Sequence, residues 1–263
     1  MALPPELAGG MLSGCIVADW PAPPGIVALT TTRPGGLSAA PYDSLNLAAH
    51  VGDRPEKVAA NRAQLQSALG LADPVAWLDQ VHGVGVVRAG PDAAGVAADA
   101  AWTDATGTAC AVLTADCLPV LLCSFDGSCV AAAHAGWRGL AGGVLEAVIS
   151  AMPVPGDQLL AWLGPAIGPA AFEVGAEVLS AFADPAPADK DSVRRCFSPS
   201  PGRQGHYLAD LYALARLRLA GAGVSRVYGG GACTFSDPER FYSFRRDGET
   251  GRMGSVIFRQ TAP

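Results

Sequence analysis

Three side chains of the kinds that hold metal ions or attack carbon stand where apolar runs break. They are His82 in LDQVHGVGVV, Cys117 in AVLTADCLPVLL and His134 in VAAAHAGWRG. A glycine or proline soon turns the chain after each, so each reads as a residue at the end of a strand. Strand ends on one rim of a sheet converge however far apart they lie in sequence. Two imidazoles and a thiolate suit Zn²⁺, with bonds near ~2.0 Å to nitrogen and ~2.3 Å to sulfur, and three protein ligands leave a fourth position open for chemistry. The spacing contains no local C-x-x-C or H-x-x-x-H pair, so residue types alone leave other readings standing. His134 can be a packed core histidine. Cys117 and His134 can be a metal-free nucleophile and base. A Cys-His₂ set with an axial thioether suits blue copper, although zinc is preferred. A multicopper oxidase is disfavoured by count, because its copper cluster needs many more imidazoles than four histidines supply.

Such groups need strands to hold them. Residues 26–31, IVALTT, form a β-branched strand followed by the turn RPGG. Asp53 with Glu56 signals a helix start, and Val58, Leu65 and Leu69 give helical spacing through RPEKVAANRAQLQSALG. Apolar runs follow at 75–78, 84–88, 110–114, 118–123, 129–133 and 159–163. Helices are predicted over 138–152, near 174–182 and over 209–220. The Pro- and Asp-rich stretch 183–205 reads as a variable loop, and strands including GSVIF close the chain. Strands that come both in runs and alternating with helices predict an α/β (α+β) fold of mixed sheets packed centrally with flanking helices. The expectation is one catalytic domain spanning 1–263.

Composition narrows the function classes. Half of the 263 residues are hydrophobic and 16% are charged, enough to bury a sizeable core. With a net charge of −6 and Lys/Arg only in isolated pairs such as Arg194-Arg195 and Arg245-Arg246, no nucleic-acid partner is expected. No apolar stretch of membrane-spanning length escapes interruption, and MALPPELAGGMLSGC lacks the basic leader of a signal peptide. Seven cysteines without framework spacing read as reduced thiols. A cytoplasmic protein, more readily a monomer than an oligomer, acting on small molecules is the expectation.

The ordered blocks TTRPGG, SLNLAAHVGD, VAANR, QVHG, TADCLPVLL, AHAGWRG, GPAIGPAAFEVG and FYSFRRDGETGRMG resemble the bacterial YfiH-type proteins. These are also called laccase-domain or multicopper polyphenol oxidase-like proteins. The resemblance covers most of the chain and is least evident over 183–205. It implies a zinc site at His82, Cys117 and His134, and a layered fold similar to a toxin deamidase domain. It also implies purine nucleoside chemistry: phosphorolysis of adenosine, inosine, guanosine and methylthioadenosine, and deamination of adenosine. Some members are linked instead to peptidoglycan editing, by hydrolysis of a muramyl-amino acid precursor. The family's laccase label is disfavoured by the histidine count.

Phosphorolysis needs a phosphate held beside the sugar. The Gly-rich turn before the helix predicted from Arg138 suits an anion, and Arg138 and Arg33 are candidate phosphate ligands. Asn46 offers an amide to ribose or base. Strand-like alternation in FYSFRRDG places Phe241, Ser243 and Arg245 on one face, which makes Arg245 a further substrate-binding candidate. Deamination asks for an acid/base group as well. Asp116, beside Cys117, is the nearest carboxylate in sequence, and Glu173 is a second candidate. The same residue types admit blander roles: surface arginines, a turn-stabilising Asn46, and an Asp116 bonded to its own turn. A binding or scaffold protein whose thiol and imidazoles merely pack is the third class.

Overall fold

The computed structural model describes residues 10–183 and 190–260. Two sheets stack face to face. The first has four antiparallel strands in the order β1 (Ile16–Val17), β2 (Ile26–Thr30), β13 (Met253–Arg259) and β5 (Ala109–Thr114). The second has six strands in the order β12 (Arg226–Gly229), β8 (Leu159–Leu163), β6 (Leu118–Ser124), β7 (Val130–Ala135), β4 (Ala100–Thr103) and β3 (Val86–Arg88). Its four central strands are antiparallel, while the outermost strand at each edge runs parallel to its neighbour. A small antiparallel sheet, β10 (Phe197–Pro199), β11 (His206–Ala209) and β9 (Glu173–Gly175), stands apart. The fold is therefore mixed α+β, as the alternation of runs and helices predicts.

Alternation of side chains explains the layers. Ile26 and Ala28 of β2, Cys110 and Val112 of β5 and Ile257 of β13 pack against Leu121 and Cys123 of β6 and Val130 and Ala132 of β7. Residues of the opposite parity in the first sheet (Val27, Leu29, Ala111, Leu113, Val256) cover helix α1 (Pro55–Ala68) through Leu65. Those of the second (Val120, Leu122, Ala131, Ala133) cover α3 (Val144–Ala151) and α6 (Leu211–Gly221). Both sheets are buried on both faces, which is why β5, β6 and β7 read as unbroken apolar runs rather than alternating ones.

The local expectations fail in five places. Asp53 does not cap α1. Arg54 occupies the cap position without a side-chain bond, Pro55 starts the helix, and the Asp53 carboxylate is taken by Ser38, Asn46 and the Arg54 N–H. The run at 75–78 forms no strand. The helix predicted over 138–152 is two helices, α2 (Trp137–Gly142) and α3, because Gly143 adopts φ +102° and ends the first. Residues 184–189 of the expected variable loop lie outside the described residues. Helix α4 (Ala176–Ala183), expected near 174–182, precedes them, and beyond them stand α5 (Lys190–Arg195) and β10, anchored by buried Val193, Cys196 and Phe197. FYSFRRDG is not a strand: Ser243 accepts the Arg246 N–H and caps the short helix α7 (Phe244–Asp247).

Candidate metal centre

His134 shares the parity of Val130 and Ala132 on β7, so it points into the space between the sheets, one residue from the strand's end. Cys117 lies in the turn between β5 and β6, and His82 comes from the segment before β3. One donor atom from each, all within 4.8 Å of one another, forms a group able to hold a metal ion. The Cys117 Sγ is 3.9 Å from His82 Nε2, and the two imidazole rings meet edge to face at 4.8 Å between centroids. Around a tetrahedral zinc, sulfur and nitrogen donors stand about 3.5 Å apart, close to the 3.9 Å between the Cys117 Sγ and His82 Nε2. The group opens into a cavity of about 220 Å³.

One carboxylate organises two of the three donors. Asp99 is fully buried just before β4. Its Oδ1 accepts from His134 Nδ1 at 2.8 Å and from the His82 N–H at 2.9 Å, and its Oδ2 accepts from the Gly83 N–H at 2.6 Å. A carboxylate at Nδ1 requires the proton there, which leaves His134 Nε2 for a metal. The same bonds hold His82 at φ +60°, a conformation that side chains other than glycine rarely adopt. Burial pushes the Asp99 pKa up, but the His134 and Gly83 hydrogen bonds outweigh it and hold the carboxyl below its ordinary value.

Glycines make the room. A Cβ on Gly136 would stand 2.9 Å from the Cys117 Sγ and 3.2 Å from His82 Cδ2, and one on Gly139 would stand 2.8 Å from the Gly83 carbonyl. The turn AHAGWRG is thus cut to fit the donor group and the segment that carries His82. Gln80 fastens that segment to β5, its amide donating to the Leu113 carbonyl and accepting the Leu113 N–H. Electrostatics suit the donors too. Burial raises the Cys117 thiol, but the neighbouring imidazoles, His134 first, more than offset this and bring it down to about 6. Burial lowers His134, while the thiolate and then Asp99 push it up to about 9. Each of the two thus favours the charged form of the other.

The other residues singled out from sequence lie elsewhere. Asp116 has φ +91°, and its carboxylate accepts from Thr234 Oγ1, Ser243 Oγ and the Arg245 N–H. It braces α7 against the turn that carries Cys117 and does not line the cavity. Asn46 is fully buried, and its amide bonds both ways with Ala48 while also reaching Asp53 and the Arg252 N–H. It is a turn-stabilising residue, closed to a ligand. Arg33 is held by Asp43, with Asp247 at 3.8 Å, in a separate hollow. Arg138, stacked on Trp137, and Arg245, donating to the Glu173 carbonyl, share a second cleft with Glu173. The helix expected to offer an anion its free N–H groups is the six-residue α2.

Four contributors escape the sequence reading: Asp99, Gln80, Arg252 and Phe244. The last two line the cavity and lie within a quoted motif, FYSFRRDGETGRMG, but false alternation drew attention to Arg245. Asp99, in AADAAWTD, carries no local signal at all.

A layered α+β sandwich with a Cys-His₂ group at one rim defines the class. The model of the family described as multi-copper polyphenol oxidoreductase laccase matches residues 27–260, and the chain belongs to this YfiH/DUF152 family. A Pseudomonas aeruginosa protein named purine nucleoside phosphorylase PA4543 is 53% identical over 95% of this chain and 100% of its own length. Purine nucleoside phosphorylase YfiH of Escherichia coli is 50% identical over 94% and 99%. The crystal structure of Neisseria meningitidis NMB0706 superposes with a TM-score of 0.88 at 52% identity, covering 94% of this chain and all of that one. YlmD from Geobacillus stearothermophilus gives 0.80 at 33% identity, covering 90% and 93%.

Proposed function

We propose that this chain is a zinc-dependent purine nucleoside phosphorylase, with adenosine deaminase and methylthioadenosine phosphorylase activity in the same pocket. The observation that carries the reading is the group of His82, Cys117 and His134 facing an open cavity, in a chain whose relatives bear that name. In phosphorolysis a phosphate oxygen bonds to the anomeric carbon as the C–N glycosidic bond breaks. The electron pair leaves with the purine, which takes up a proton, and ribose 1-phosphate remains.

A zinc ion at the donor group supplies Lewis acidity. His82, Cys117 and His134 are the residues that would hold it, with Asp99 fixing the His134 tautomer and the His82 backbone. Leu113 and Ala115 give the cavity an apolar wall, and Phe244, 60% exposed with the Arg252 guanidinium 5.7 Å from its ring centroid, borders it. Asp116, bound by three donors, serves as a positioning residue in this reading rather than as the proton shuttle.

The test is to incubate zinc-loaded protein with adenosine, with and without phosphate, and to resolve adenine, ribose 1-phosphate and inosine. Phosphate-dependent adenine supports phosphorolysis, and phosphate-independent inosine supports deamination. No turnover of adenosine, inosine or methylthioadenosine overturns the proposal. Cleavage of a muramyl-amino acid amide by the same preparation then favours the cell-wall hydrolase.

A further inference from the structure

Resting on that reading, we infer that the phosphate is held inside the metal pocket by Arg252, with the Thr114 hydroxyl as a second donor, and not by Arg33, Arg138 or Arg245. Arg252 and Thr114 both line the cavity that His82, Cys117 and His134 face. Among the described residues no carboxylate lies within salt-bridge distance of Arg252. Its Nη1 donates to the carbonyls of Thr250 and Gly251 at 2.8 and 2.9 Å, which aims the guanidinium and leaves Nε and Nη2 uncommitted.

A partly buried guanidinium without a counter-charge is unfavourable unless an anion completes it. The other candidates lie outside this pocket. Arg33 is paired with Asp43 in a separate hollow, while Arg138 and Arg245 line the second cleft, which the three donors do not face. Within the metal pocket the Cys117 thiolate acts on Arg252, and a metal ion bound there would occupy it. Asp116 also acts electrostatically on Arg252, but its carboxylate is already taken by Thr234, Ser243 and the Arg245 N–H. The positive charge is then free for a dianion.

Thr114 supplies an independent observation. It is the last residue of β5, 1% exposed, and its Oγ1 has no hydrogen-bond partner among the described residues. A buried hydroxyl is normally bonded, so an unpartnered one on a residue that lines the same cavity as Arg252 marks a place for an acceptor. Phosphate oxygens accept from both groups at once.

Zinc-loaded wild type, R252Q, R252K and T114V, each checked for zinc content and thermal midpoint, are titrated calorimetrically with inorganic phosphate without nucleoside. The KM for phosphate is then measured at saturating nucleoside. R252Q should weaken phosphate binding and raise that KM about 10- to 100-fold, and R252K and T114V about five-fold, with the KM for nucleoside within about two-fold. Phosphate binding unchanged in R252Q overturns the inference, even where the wild type performs phosphorolysis. Should R252Q misfold, unchanged binding in both R252K and T114V overturns it equally. Phosphate held by wild type and lost from R252Q, with no nucleoside turned over, supports the inference while overturning the phosphorylase reading. Binding of a nucleoside 5′-monophosphate through Arg252 with no binding of free phosphate also overturns it.

Discussion

Asp99 acts on the site without facing the cavity, and its substitution separates positioning from ligation. Asp99→Asn keeps the size but removes the charge and one acceptor, so the His134 tautomer and the His82 loop both loosen. Zinc affinity should fall about 10- to 100-fold, read by competition with a chromophoric chelator. Cys117→Ser should lose stoichiometric zinc outright, measured by metal analysis, and a metal content unaffected by it would return the thiol to the role of a packed residue. In metal-free protein the Cys117 thiol is already lowered to about 6, and the thiolate is the reacting form. Iodoacetamide modification should therefore rise as pH increases through about 6, not 9, and loaded zinc should protect. The three donors were legible because their types are rare and they punctuate apolar runs. Asp99 was not, because its role rests on bonds to residues 17 and 35 positions away, across two elements. Asn46 misled for a related reason: an amide in a turn looks the same whether its bonds face a ligand or, as here, the chain itself.

At the level of elements, unbroken apolar runs made β5 to β8 readable, since a strand buried on both faces leaves no polar parity to find. Boundaries and breaks were harder. Gly142-Gly143 lies inside a helical pattern, and only the left-handed φ at Gly143 shows that the helix stops there. Replacing Gly143 by alanine should cost about 1 kcal/mol of stability, read in urea unfolding. Gly136 makes the opposite case. Its φ of −59° and ψ of 155° suit any residue, so Gly136→Ala carries no backbone strain. The three atoms nearest the new methyl all belong to the donor group, with Sγ at 2.9 Å. Near-native circular dichroism and thermal midpoint with depressed zinc occupancy are the expected outcome. A loss of fold in step with metal would show that the turn, and not the site, needs the glycine.

Across the whole molecule, the core and the metal-binding rim are distinct regions. The inter-sheet core is built from Ile26, Val112, Leu121, Val130 and Trp162, and none of these lines the cavity at the donor group. Chelation should therefore leave the protein folded and cooperative, unlike a small zinc-nucleated domain. Added zinc should raise the thermal midpoint with its concentration, as expected for a ligand that binds only the native state. Precipitation or a non-cooperative melt on chelation would contradict this division.

The turn at His82 and the strand end at His134 hang from one buried carboxylate just ahead of a neighbouring strand. The coordinating arms are thus set in place when the chain folds, before any ion arrives. Loading then demands little rearrangement, so uptake followed by stopped flow should show a single phase without lag. Its rate would depend on how fast the incoming ion sheds water, and would change when another divalent metal replaces zinc.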